Sequence, residues 1–76
     1  MDTTVTKALS ILEALAASER PLGVTELATT FGLTKSNVHR LLQTLAGRGY
    51  VAAVDRRYTV TTKLWELGTQ VVGRLA

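Results

Sequence analysis

The chain has 76 residues, a formal net charge of +3, one histidine and no cysteine. That length supports one domain with a modest core, and the missing cysteines exclude disulfide staples and thiolate metal sites, so no metal or other cofactor is expected. The first ten residues lack a basic start followed by an apolar run, and nothing approaches the ~20 apolar residues of a membrane span, which predicts a soluble, cytoplasmic protein without a membrane partner.

Residues 5–17 carry Val5, Ala8, Leu9, Leu12, Leu15 and Ala16 at helical spacing, with Asp2, Thr3 or Thr4 available as the N-cap. Residues 18–23 read as a turn, because Pro21 pushes Arg20 away from helical geometry and Gly23 is permissive. A second helix is predicted over 24–31, with Leu27, Ala28 and Phe31 on one face, Thr25 as its cap and Gly32 as its left-handed stop. A third begins at Thr34, a good N-cap, and runs to Gly47 or Gly49. At about 100° per residue, Val38, Leu41, Leu42 and Leu45 share one face of it, while Ser36, His39, Arg40 and Gln43 share the opposite one.

After Gly49 the pattern changes to two short strands, Tyr50 to Val54 and Arg57 to Val60, around Asp55-Arg56. Neither turn residue is the glycine that a type I′ turn favours, so a longer or bulged loop is the expectation. From Thr62, read as a cap, a last amphipathic helix places Leu64, Leu67, Gly68, Val71 and Leu75 on one side, with Trp65 and Val72 widening the stripe. That pattern is still running at Ala76, so the chain is expected to be the front of a longer protein.

The charge is unevenly spread. Between Leu33 and Tyr58 there are five cations (Lys35, Arg40, Arg48, Arg56 and Arg57) against one acid, Asp55, whereas the remainder is slightly acidic. Concentrated positive charge suits a polyanionic partner. The expected class is mainly α with a β-hairpin wing: a winged helix-turn-helix with a three-helix core, a two-stranded wing and a C-terminal linker helix. Its helix-turn-helix spans about 25–46 and its wing about 50–60. A helix of the third one's diameter fits the major groove of duplex DNA, its N-terminal residues meet base edges and phosphates, and its free N–H groups attract a phosphate.

The residues also match a family. Val24-Thr25-Glu26-Leu27-Ala28, the segment GLTKSNVHRLLQTLAGRGYV from Gly32 to Val51, Arg57-Tyr58 and Lys63-Leu64-Trp65-Glu66-Leu67-Gly68 together resemble the DNA-binding domain of the IclR (isocitrate lyase regulator) family. The resemblance covers nearly the whole chain and implies a DNA-binding domain over residues 1–61. Residues 62–76 would then begin a linker helix towards an effector-binding domain that takes small organic acids or aromatics. It further implies a homodimer on a palindromic operator, pairing through the first and linker helices, for which Ile11 and Trp65 are the candidate contacts, the alternative for Trp65 being that it closes the small core. The compact Val54-Asp55-Arg56-Arg57-Tyr58 wing is shorter than the family's usual one.

Arg40, central on the polar face and able to bond bidentately to guanine or phosphate, is the first candidate reader. Ser36 and Asn37 suit base edges, phosphate or the cap, and Lys35 suits phosphate. Thr34 and Thr25 are caps first and phosphate contacts second, while Gln43 lies far along the helix for an adenine edge. His39 is either a phosphate or sugar contact or an exposed spacer, and being the sole histidine it supports no catalytic triad or metal cluster. Arg48, Arg56 and Arg57 suit backbone contacts, and the resemblance adds a structural role for Arg57 beside Tyr58. A protein-binding winged helix is the alternative function, disfavoured by the cationic, hydrogen-bonding face of the third helix. An enzyme has almost no support, for want of a close carboxylate pair or a phosphate-cradling glycine loop.

Overall fold

The computed structural model describes residues 1–75, in the order α1 (Thr3–Ala17), α2 (Val24–Phe31), α3 (Lys35–Gly47), β1 (Val51–Val54), β2 (Arg57–Val60) and α4 (Lys63–Leu75). Ala76, the last residue of the expected linker segment, lies outside the described residues. None of the described helices is long and apolar enough to cross a membrane. The expected class, helices around a small core with a two-stranded wing, is what the chain forms.

Asp2 starts α1, its Oδ1 accepting from the Thr4 N–H at 2.9 Å and the Val5 N–H at 3.4 Å. The helix buries Ile11, Leu12 and Leu15. Ile11, expected on an outer face as a dimer contact, is 0% exposed, whereas Val5 and Leu9 are half exposed. The cause is the width of the apolar arc. Ile11, Leu15, Ala8, Leu12, Val5 and Leu9 follow one another over about 160° of the helix, so periodicity alone leaves its centre undetermined. Packing against α3 and β2 selects the Ile11 side.

The α2 cap also differs from expectation. Helix α2 begins one residue before Thr25, with Gly23 in extended geometry at the N-cap and the Glu26 Oε1 accepting from its N–H at 3.0 Å. A carboxylate at the third helical position can fill that role without help from the N-cap side chain, which glycine does not have. Gly32, at φ 64°, stops the helix in the left-handed conformation where a Cβ is disfavoured. Thr34 caps α3, its hydroxyl accepting from the Asn37 N–H at 3.1 Å. At the last helix the hydroxyl accepting from the Lys63 N–H belongs to Thr61, not to the expected Thr62.

The wing is tighter than expected. Val54 pairs directly with Arg57, leaving only Asp55 and Arg56 in the turn, at φ 48° and 66°. Two successive positive φ angles are those of a type I′ turn, whose twist matches the hairpin. Here they are adopted without glycine. Leu22 adds a bridge on the far side of β2, exchanging backbone bonds with Tyr58 at 2.9 and 2.8 Å, so the segment read only as a turn also docks the wing. The shared core joins Ile11, Leu15, Leu27, Val38, Leu42, Val51 and Tyr58, which draws on α1, α2, α3 and both strands.

Helix α4 buries no residue. Leu64 packs against the core, but Trp65 is 71% exposed, and Val71 and Val72 are more than half exposed.

Candidate nucleic-acid interface

Two structural elements carry the candidate residues. The first is the N-terminal half of α3. Its buried face, Val38, Leu41 and Leu42, is clamped into the core, which turns Lys35, Ser36, His39 and Arg40 outward. The Thr34 and Ser36 hydroxyls lie 3.3 Å apart, and the Arg40 Nη2 donates to the Asn37 Oδ1 at 3.4 Å. Thr34, Lys35, Ser36, His39 and Arg40 are thus exposed donors and acceptors over two turns, with Asn37 half-buried beside them, on a helix that cannot rotate without unpacking Val38 from the core. Arg40 also borders a shallow apolar groove against α1, lined by Val5, Ala8, Leu9, Leu41 and Leu45.

The second element is a polar cleft between the start of α2 and the wing turn, lined by Gly23, Val24, Thr25, Glu26, Asp55, Arg56 and Arg57. Thr25 is exposed on its α2 side, and Arg56 projects from the turn without an ion pair among the described residues. Glu26 organises the cleft: its carboxylate takes Arg20 at 2.6 Å and Arg57 at 3.3 Å as well as the Gly23 N–H. The hydrogen bond from Arg20, followed by that from the Gly23 N–H, lowers the Glu26 carboxyl from 4.5 to about 2, and the same pairing raises the Arg20 guanidinium. A carboxylate held low favours the fold above its unfolded value, and that contribution is lost as pH falls from about 4.5 towards about 2. At neutral pH the Glu26 carboxylate is therefore charged.

The remaining candidates stand apart. Gln43, exposed on α3, donates from Nε2 to the Tyr58 hydroxyl at 3.3 Å and so ties α3 to β2. Arg48 sits just past the other end of α3, about 20 Å along the helix from Thr34 at 1.5 Å per residue. Its carbonyl accepts from the Lys63 Nζ at 2.8 Å, and that ammonium lies 4.8 Å from the centre of the Tyr50 ring. Sequence reasoning missed Glu26. Its position three residues after the α2 N-cap was a signal for capping, but nothing local pointed to Arg57, 31 residues away.

Arg56 offers a test of the wing. Because a non-glycine residue in the left-handed region is strained by about 1–2 kcal/mol, and glycine gives back about 0.4–1 kcal/mol to the freer unfolded chain, Arg56→Gly is expected to stabilise the fold by about 0.5–1 kcal/mol. The same change removes a cation from the turn, so thermal melting and duplex titration should move in opposite directions. A variant that melts earlier would show that the turn carries no such strain.

Comparison with known proteins agrees with this architecture. The IclR helix-turn-helix domain family matches residues 4–55. The chain is 42% identical over 72 residues to the HTH-type transcriptional regulator KdgR of Dickeya chrysanthemi, covering 92% of this chain and 23% of that protein. It is 38% identical over 65 residues to the glycerol operon regulatory protein of Streptomyces coelicolor, covering 83% of this chain and 26% of that protein. The crystal structure of the Thermotoga maritima IclR superposes with a TM-score of 0.84 at 32% identity, covering 95% of this chain and 30% of that one. The chain thus spans about a quarter of the length of the curated relatives it matches.

Proposed function

The chain belongs to the IclR helix-turn-helix family, and from that footing we propose that it is the duplex-DNA reading head of a transcriptional regulator. The observation that carries the reading is the exposed polar face of Thr34, Lys35, Ser36, His39 and Arg40, held by the buried Val38, Leu41 and Leu42 on a helix of the diameter a major groove admits. In this reading Arg40, Ser36 and Asn37 meet base edges, while Lys35, His39 and Thr34 reach the adjoining phosphates. Thr25 and Arg56 hold the backbone from the cleft side. Arg48 contacts a more distant phosphate, whereas the Gln43 amide and the Arg57 guanidinium already have partners inside the fold. Contacts of the second kind set register, and only those to base edges carry sequence.

Two copies are proposed to pair, placing two α3 helices in successive major grooves of a palindrome. Support comes from the exposed apolar side chains of α4, Trp65, Leu67, Val71 and Val72, and from Val5 and Leu9 on α1, which take the place of the buried Ile11. No enzymatic role is proposed, and the relatives named above are regulators. The cationic, polar exposed face of α3 disfavours the protein-binding alternative, for which apolar anchors would be needed.

The reading is tested by selecting bound duplexes from a random pool with this chain, then titrating the winner against a scrambled control. An enriched palindrome, bound far more tightly than the control, is the expected result. Equal, weak binding to both would remove the sequence-reading role and favour the protein-binding one.

A further inference from the structure

The charged residues lining the cleft are Glu26, Asp55, Arg56 and Arg57, and of the two acids it is Glu26 that pairs with arginines. Its carboxylate bonds to three groups from three parts of the chain: Arg20 before α2, the Gly23 N–H at the α2 N-cap and Arg57 at the start of β2. The two arginine bonds lie at the surface, with the Glu26 side chain 38% exposed and that of Arg57 53% exposed, and the bond from the Gly23 N–H is partly buried. Arg57 adjoins Arg56 in the wing turn, so within two residues one arginine is turned back on the protein and the other is left open to solvent.

We infer that Glu26 is a specificity-determining residue, a carboxylate that withholds Arg57 from the phosphate backbone and so limits the wing to the single cation of Arg56. The inference rests on the duplex-binding reading above. Binding without regard to sequence comes almost wholly from cations that displace counterions from phosphates. An arginine already paired with a carboxylate displaces none, so random DNA gains nothing from it. The bond also fixes the wing turn against α2, and α2 packs on α3, so the open cation of Arg56 and the base-reading run of α3 keep one spacing.

The test is a set of duplex titrations with this chain across a range of salt, using its selected duplex and a random one. Glu26→Gln is the informative change, because the amide oxygen still accepts from the Gly23 N–H while the negative charge is gone. The variant is expected to bind random duplex more tightly and to steepen the salt dependence by about one phosphate. Between 50 and 200 mM salt it should therefore lose about 3- to 4-fold more affinity than the parent. Arg57→Gln in the parent should leave the slope nearly unchanged, but in the Glu26→Gln background it should cancel the added slope. A helix-capping role alone would move thermal melting and not the slope. The inference is overturned if Glu26→Gln keeps the parental slope and random-duplex affinity, or if Arg57→Gln alone flattens the slope by a full phosphate. A parent chain that binds no duplex in a salt-dependent way would instead remove the functional reading, and this inference with it.

Discussion

Replacing Arg40 with alanine is expected to weaken binding to the selected duplex by about 1–3 kcal/mol, the usual worth of a bidentate base contact, and to relax sequence preference at one base pair of each half-site. Arg40 lies on the exposed side of α3, and among the described residues its guanidinium is bonded only to the Asn37 Oδ1, at the long distance of 3.4 Å. Little is therefore lost from the free protein by its removal. The Arg40 side chain makes no ion pair among the described residues, and its helix is fixed by Val38, Leu41 and Leu42 on the other face. The measurement is a titration of the variant on selected and scrambled duplexes side by side. Unequal losses, larger on the selected duplex, would establish base reading. Equal losses would make Arg40 a phosphate contact and move the search for the reader to Ser36 and Asn37.

Ile11→Ala should be among the most damaging single changes to the fold, at about 2–5 kcal/mol, from lost burial plus the cavity left behind. The side chain is 0% exposed and joins the core that links α1 to α3 and the strands. In a domain this small, total stability is of order 5 kcal/mol, so the variant should be partly unfolded at room temperature. Denaturant melting at two protein concentrations checks the assignment. A core residue lowers the midpoint equally at both, whereas a dimer contact would make the loss depend on concentration. The matching change on the outer face, Leu9→Ala, should leave the midpoint of the monomer nearly unmoved.

Much of the architecture was legible in the residues. The three-helix order, the left-handed stop at Gly32, the Thr34 cap and the hairpin after Gly49 each rest on interactions within a few positions of one another, and local chemistry decides these. Helix α3 was the clearest case. Its apolar residues are confined to one face and its polar ones to the other, so the same pattern indicated both its seat and its exposed surface. The five cations between Leu33 and Tyr58 are divided by the fold: Lys35 and Arg40 stand on α3, Arg48 just past its far end, and Arg56 and Arg57 line the cleft. Helix α1 was harder because its apolar arc is too broad to reveal which edge faces inward, and the error over Ile11 follows from that width. The wing turn misled for a different reason. Local preference asks for glycine at Asp55-Arg56, but the pairing of β1 with β2, and of β2 with Leu22, holds two strained residues in place.

What the sequence by itself determined is the set of elements and the character of their faces, because helical periodicity, caps and turn residues act over separations of three or four positions. What only the tertiary structure decided is which of those faces are shared and which charges are free. Glu26 meets Arg57 across 31 positions, Gln43 meets Tyr58 across 15, and Leu22 pairs with Tyr58 across the fold. Such contacts depend on how α1, α2, α3 and the wing close around one core, and no local spacing encodes them. Two adjacent arginines identical in type thereby acquire different electrostatic roles, Arg57 bound to a carboxylate and Arg56 open to solvent, because only one of them comes within reach of Glu26 when the chain folds.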